Sequence, residues 1–250
     1  MTLELNSQGL ADSAKDKRGN HPFISIIMPA FNEEKAIGKV ISEIAILMKS
    51  NHLPYEIIVV DDCSFDKTAS EARKLGAIVL HNEVNRGKGY CLRKALSIAK
   101  GDLILTMDSD GEHRPPDIIN LLKPAFQGVD VVAGSRFIFG SKKITCKAHI
   151  IGNHLFNLCI MLLTGRRITD SQTGFRVFKR HVIDSLRLES NGYEIESEIT
   201  MKSLRNGFSF FEVPIKIKRR EHGLTRIKLL YDGAKILKTI FLSSLTDQIH

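Results

Sequence analysis

The segment Asp108-Ser109-Asp110-Gly111-Glu112-His113 places three carboxylates at alternate positions directly after the apolar run 103–107. Side chains alternate across an extended chain, so Asp108, Asp110 and Glu112 are expected to project together at the mouth of a buried strand. Two unit charges about 4 Å apart repel by roughly 4 kcal/mol at an effective dielectric of about 20. The cluster therefore calls for water or a cation. A hard divalent ion, Mg²⁺ or Mn²⁺, held by one or two carboxylates and completed by water and phosphate oxygens, is one solution; a solvated acidic turn is the other. A second acidic pair, Asp61-Asp62, ends the apolar run 56–60. Lys88, flanked by Gly87 and Gly89, opens a helix, where amides and dipole favour an anion. The stretch lacks the P-loop spacing, which excludes that ATPase class. Arg136 and Arg220 are suited to forked hydrogen bonds with phosphate.

Bringing these groups to one edge requires strands alternating with helices, and the hydrophobic pattern supplies them. Residues 23–28 and 56–60 read as buried strands. Between them Ile37, Val40, Ile41, Ile44, Leu47 and Met48 recur at helical spacing within 34–49, giving one buried face. Strand, helix, strand implies a right-handed crossover and a parallel sheet. Ligands bind at the carboxyl ends of such strands, where Asp61 stands. A helix over 66–75, a strand over 77–80, a helix from Lys88 to Ala99 and a strand over 103–107 bring the Asp108 cluster to the same edge. Then follow a helix over 117–126, a strand over 130–133, a hydrophobic helix over 150–163, and a polar turn from Asp170 entering a strand to Lys179. A helix from Tyr193 to Leu204 and an alternating strand over 208–218 complete the domain. The helix dipole accounts for one of Glu196 and Glu198; His113 either orients the acidic loop or is an exposed loop histidine, and Phe208, Phe210 and Phe211 read as core.

The totals narrow the partners. A chain of 250 residues with 43% hydrophobic and 26% charged residues can bury a large core without disulfides. Its four cysteines form no C-x-x-C pair, so neither a zinc site nor a disulfide framework is expected, and a reducing, cytoplasmic setting fits. Residues 1–22 are expected to be a flexible polar tail, and no run reaches the roughly 18 apolar residues of a membrane span. The net charge is +8, and residues 216–250 hold eight Lys and Arg against three acids. Within 227–245, Ile227, Leu230, Ala234, Leu237, Ile240 and Phe241 follow steps of three and four with Lys228, Lys235 and Lys238 among them. That pattern fits a basic amphipathic helix, over 227–250, lying on an anionic membrane or packed on the domain. No aromatic RNA-binding signature accompanies the basic excess, so no nucleic-acid partner is expected.

With these pieces in order, the chain from about Ile24 to Ile227 resembles family 2 glycosyltransferases, most closely the branch of dolichyl- and polyprenyl-phosphate mannose and glucose synthases. The resemblance rests on Met28-Pro29-Ala30-Phe31-Asn32-Glu33-Glu34, the stretch from Val60 to Thr68, Gly87-Lys88-Gly89 and Asp108 to His113. Gly134-Ser135-Arg136, the Asp170 to Arg176 turn, Glu212-Val213-Pro214-Ile215 and Arg220 to Arg226 complete it. It implies an α/β GT-A fold, a Rossmann-like, open, mostly parallel twisted sheet flanked by helices, over residues 23–226. It implies metal-dependent, inverting transfer of a sugar from a nucleotide diphosphate sugar, with a UDP-sugar favoured over GDP-mannose, to a polyprenyl (dolichyl) phosphate. The enzyme would sit peripherally on the cytoplasmic face of a membrane and feed glycan assembly, including protein glycosylation. By motif position Pro29, Asn32, Glu33 and Asp61 hold the nucleotide, with Lys88, Asp108 and Arg220 as further donor contacts. Asp108, Asp110 and Glu112 match the metal motif, with Glu112 where the family commonly has glutamine. Asp110, Asp170 and Arg136 are the candidate catalytic residues, Asp170 as base if the acceptor is a hydroxyl. Transfer to a glycan hydroxyl, or a non-catalytic nucleotide-sugar-binding protein at a membrane, are the alternatives.

Overall fold

The computed structural model of the chain describes residues 21–138, 147–218 and 229–245. Its strands are β1 (Ile24–Ala30), β2 (Tyr55–Asp61), β3 (Ile78–His81), β4 (Leu103–Thr106), β5 (Val131–Ser135), β6 (Arg176–Lys179) and β7 (Phe210–Pro214). They form one sheet in the order β3-β2-β1-β4-β6-β5-β7. All pairings are parallel except those of β6, which runs antiparallel to both β4 and β5. The helices are α1 (Ile37–Ser50), α2 (Thr68–Lys74), α3 (Lys88–Leu96), α4 (Ile118–Phe126), α5 (Lys147–Thr164), α6 (Arg180–Ser185), α7 (Ile195–Arg205) and α8 (Leu229–Leu245). This is the expected open, mostly parallel sheet flanked by helices.

Because the central strands are covered on both faces, successive residues of one strand enter different cores. Ile26 and Met28 meet α1 residues Ile37, Ile41 and Ile44 on one side, while Ile27, Ile58 and Val60 meet Cys91, Leu92 and Ala95 of α3 on the other. A third cluster joins Phe156 and Ile160 of α5, Met201 of α7, and Ile236 and Ile240 of α8. At the sheet edge the expectation for the phenylalanines holds in part: Phe208 and Phe210 pack against the core, but Phe211 is half exposed.

The strand order gathers the acidic and basic motifs of the described residues toward one edge. The chain leaves β1 for β2 and β3 and returns to β4 beside β1, which opens a crevice beyond the carboxyl ends of these strands. Asp61 ends β2, and Asp108 and Arg136 follow β4 and β5. The reversed β6 presents its entry to that edge, so the Asp170 to Phe175 turn precedes its strand. Pro29 is tolerated inside central β1 because pairing with β4 stops at Ile27 and Thr106, leaving no partner that needs its missing N–H.

Candidate active site

The acidic segment is a turn rather than an extension of β4. The strand ends at Thr106, Gly111 takes φ 78, and the Glu112 N–H donates to Asp110 Oδ1 at 3.0 Å. A side chain accepting from the amide two residues on is an Asx-turn, so the strict alternation expected of Asp108, Asp110 and Glu112 is broken. Among the described residues no three His, Cys, Asp or Glu side chains form a preformed metal cage. The turn is held from below, where Ser109 Oγ donates to Pro29 O at 2.8 Å, and from the side, where Lys218 N donates to Glu112 O at 2.9 Å.

Asp108 faces Lys88, with Nζ 2.7 Å from Oδ1, and the same ammonium lies 3.0 Å from Glu196 Oε1. Burial alone pushes the Asp108 carboxyl up, but the Lys88 ammonium outweighs it and the group is lowered to about 2. Lys88 is itself raised, since its two carboxylates overcome its desolvation. The helix-start reading of Lys88 changes here. The Arg86 and Gly87 amides both donate to the Asp62 carboxylate at 2.8 Å, and Tyr90 N donates to Asn191 O at 3.1 Å. The anion at the start of α3 is therefore the protein's own Asp62, and Lys88 meets the diphosphate motif through its side chain. Gly87 is required twice over: its φ is 92, and a Cβ there would lie 2.5 Å from Asn191 O.

His113 is buried, 5% exposed, and stacks on Phe175 with ring centroids 5.0 Å apart. Its Nδ1 lies 3.7 Å from Asp108 Oδ2, yet the Asp108 N–H donates to that same nitrogen at 3.3 Å. Burial holds the ring below its ordinary value, and the amide donating to Nδ1 makes that nitrogen an acceptor. His113 is a support of the acidic turn rather than an exposed loop residue.

A second ion pair stands beside the first. Arg136 Nε and Nη2 donate to Asp170 Oδ2 and Oδ1 at 2.7 and 2.8 Å, the fork geometry of a strong pair. The Arg136 amide and Asn153 Nδ2 also donate to this carboxylate, at 3.1 and 3.3 Å. Arg136 is held above its ordinary value because Asp170, and then Asp108, outweigh its desolvation. Glu212 fixes the turn from beneath, its two oxygens accepting from the amides of Thr169 and Asp170 at 2.8 Å each. Fully buried Arg176 donates to the carbonyls of Ser171, Thr173 and Glu196. Gly174 completes the fit, because a Cβ there would collide with Lys88 Nζ and lie 3.0 Å from Asp108 Oδ1.

The expected nucleotide side is more varied. Asp61, 1% exposed, bonds His81 Nδ1 through Oδ2 at 2.7 Å. Asn32 has φ 56 and spends its side chain on the neighbouring loop, its Oδ1 accepting from Phe65 N at 2.8 Å. Glu33 is buried, and its carbonyl accepts from Ala36 and Ile37 at the start of α1. Arg220 lies outside the described residues, as do residues 1–20. Sequence reasoning passed over Glu196, Gly174 and His81. An acid at a helix start is explained by the dipole alone, and only the packing of α7 beside α3 reveals that Glu196 faces Lys88.

The family model described as glycosyl transferase family 2 matches residues 25–187. A UDP-N-acetylglucosamine–dolichyl-phosphate N-acetylglucosaminyltransferase of Methanococcus voltae is 30% identical over 88% of this chain and 95% of its own. The polyprenol monophosphomannose synthase of Mycolicibacterium smegmatis is 27% identical over 86% of this chain and 83% of its own. Among solved structures, glucosyl-3-phosphoglycerate synthase from Mycobacterium tuberculosis, 22% identical, superposes with a TM-score of 0.77 over 99% of this chain and 87% of its own. From sequence match and sheet together, the chain is a glycosyltransferase that belongs to glycosyl transferase family 2.

Proposed function

We propose that the enzyme transfers a sugar, with inversion, from a nucleotide diphosphate sugar to the phosphate of a polyprenyl or dolichyl lipid. The carrying observation is Asp170. It is fully buried and its carboxylate receives four donors, three from Arg136 and one from Asn153. A carboxylate has about four acceptor positions in all, so none is left to take a substrate proton. That arrangement suits an acceptor that arrives ionised, as a lipid phosphate does, better than a hydroxyl needing a base. Asp170 then orients Arg136, whose remaining donors are available to a phosphate. The relatives' dolichyl-phosphate and polyprenol acceptors support the same reading.

The donor set suits a hard divalent ion. Mg²⁺ characteristically takes one or two carboxylates and completes its shell with water and substrate phosphates, so a turn offering Asp110 and Asp108 fits without a third protein ligand. Mn²⁺ and UDP in the related phosphoglycerate synthase structures favour the same choice. Such an ion supplies Lewis-acid neutralisation of the departing diphosphate. Lys88 neutralises Asp108 from the protein side and keeps it in place, and His113 holds the turn. Glu112, which stands where the family commonly has glutamine and which the Asx-turn takes out of strict alternation with Asp110, is the weakest member of the metal set. Pro29, Glu33 and Asp61 line the donor side in this reading, and a UDP-sugar is the preferred donor.

No helix of the described residues is long and apolar enough to cross a membrane. Attachment to the membrane surface instead uses α5 and α8. Ile151, Leu155, Leu158 and Leu162 are exposed along α5, and Phe241, Leu242 and Leu245 along α8. The apolar stripe expected on α8 is thus divided: Leu237 and Ile240 serve the core together with Ile236, while Phe241 is exposed.

The test is turnover. Purified protein is incubated with labelled UDP-glucose, UDP-N-acetylglucosamine or GDP-mannose, Mg²⁺ or Mn²⁺, and a short polyprenyl phosphate. Lipid-linked product, reduced about a hundredfold or more by Asp110→Asn and by chelation, is expected. Product formed only on a glycan or phosphoglycerate, or donor binding without transfer, overturns the assignment.

A further inference from the structure

Asn153 and Asn157 stand one turn apart in the largely apolar helix α5, on the face that also buries Phe156 and Ile160. Asparagine is a poor residue for a helix interior, and a buried amide is costly unless it is bonded. Both side chains are buried, the residues 3% and 7% exposed, and both meet the turn that bears Asp170. Asn157 Nδ2 donates to Thr169 O at 2.8 Å, and its Oδ1 accepts from Ser171 N at 3.1 Å. One side chain thus grips the backbone on either side of Asp170. Asn153 Nδ2 donates to Asp170 Oδ1 itself. Glu212 holds the Thr169 and Asp170 amides, but an ionised carboxylate only accepts, so the donor to Thr169 O has to come from elsewhere. The same helix reaches the arginine of the pair. The His154 ring lies against Phe137 with centroids 5.8 Å apart, and the Arg136 guanidinium sits over that phenylalanine at 5.6 Å. By the helical period, the exposed Ile151, Leu155, Leu158 and Leu162 stand on the opposite side of α5.

We infer that Asn157, together with Asn153, is a positioning residue for the acceptor phosphate. Asn157 fixes the backbone of the turn, the turn fixes the Asp170 carboxylate, and the carboxylate aims Arg136. Both asparagines act through Asp170 and neither is a catalytic residue. On the lipid-phosphate reading, on which this role rests, one helix carries both the apolar face turned outward and the clamp that sets the phosphate-facing arginine.

The test compares full-length wild type, Asn157→Leu and Asn157→Asp. Steady-state kinetics use a short polyprenyl phosphate and whichever of the three nucleotide sugars gives turnover, and equilibrium binding of the polyprenyl phosphate is measured in wild-type and Arg136→Lys backgrounds. Leucine keeps the volume and removes both bonds; aspartate keeps the acceptor for Ser171 N and loses the donor for Thr169 O. Asn157→Leu is expected to raise the acceptor KM and weaken acceptor binding about tenfold, the effect of one charge-assisted hydrogen bond, with the donor KM unchanged. Asn157→Asp falls between wild type and leucine. In Arg136→Lys, which lacks the fork that Asp170 orients, Asn157→Leu weakens acceptor binding little further, the non-additivity of residues acting through one group. A fall in kcat with both KM values unchanged, as loss of folded enzyme would give, overturns the inference. So does an equal loss of acceptor binding in the two backgrounds, or a rise confined to the donor KM, and in each case the lipid-phosphate reading stands. Should Asn157→Leu fail to fold, Asn157→Asp and Asn153→Ala are judged by the same readouts. Wild-type protein that forms no lipid-linked product overturns both.

Discussion

At the scale of residues, the site is two buried ion pairs beside the Asp110 turn, with half-buried Asp108 joined to the first. Lys88 bridges Asp108 and Glu196, and Arg136 clasps Asp170. Removing one partner of a buried pair strands the other, typically at about 3–5 kcal/mol. Asp170→Asn, whose carboxylate has no exposed surface, is therefore expected to lower the urea-unfolding free energy by about 3 kcal/mol; an effect under about 1 kcal/mol would place this pair with ordinary surface bridges. Asp108 gives a pH signature. Its carboxyl is lowered to about 2 from 3.8, so the stability it contributes is complete above its unfolded value and disappears as pH falls through about 2. Lys88→Met removes the main source of that lowering. The gap in melting temperature between wild type and Lys88→Met should be constant above about pH 5 and shrink between about pH 4 and 2. A gap indifferent to pH in that window contradicts the pairing.

The elements explain how distant motifs share one site. Reversal of β6 brings the Asp170 to Phe175 turn to the edge served by the carboxyl ends of β1, β2 and β4, and Gly174 then approaches Lys88 and Asp108 too closely for a side chain. Gly174→Ala should leave the fold intact but push Lys88 from Asp108. The expected result is at least about a tenfold loss in kcat/KM with a melting temperature within a few degrees of wild type; normal kinetics would mean that the Lys88 bridge is dispensable. The order of the motifs along the chain was legible because those at Asp61, Asp108 and Arg136 follow apolar runs that mark strand ends. The Asx-turn was not: it depends on Gly111 taking a positive φ and on Ser109 reaching Pro29 O, neither of which follows from alternation.

For the molecule as a whole, α8 has two duties. Ile236 and Ile240 close the third core with α5 and α7, so its removal would damage folding as well as any surface attachment. The cleaner test of attachment leaves those residues alone. Leu242→Glu with Leu245→Glu should reduce flotation with anionic vesicles severalfold while the far-ultraviolet spectrum is unchanged, and added salt should weaken the wild type, each lysine near such a surface contributing about 1 kcal/mol. Unaltered flotation would assign these exposed leucines elsewhere. The sequence by itself determined the layered α/β plan, since apolar periods of two and 3.6 record which face of each element leaves water, and turn residues mark where each run stops. It also marked Asp61, Asp108, Asp110 and Arg136 as candidate groups, because charges at strand ends stand out from apolar runs, whereas Asp170 was singled out by the order of the family's motifs. Only the tertiary structure decided which charges face one another. Lys88 with Glu196, Arg136 with Asp170 and Asp61 with His81 are separated by 108, 34 and 20 positions, and no local periodicity encodes the strand order that makes such residues neighbours.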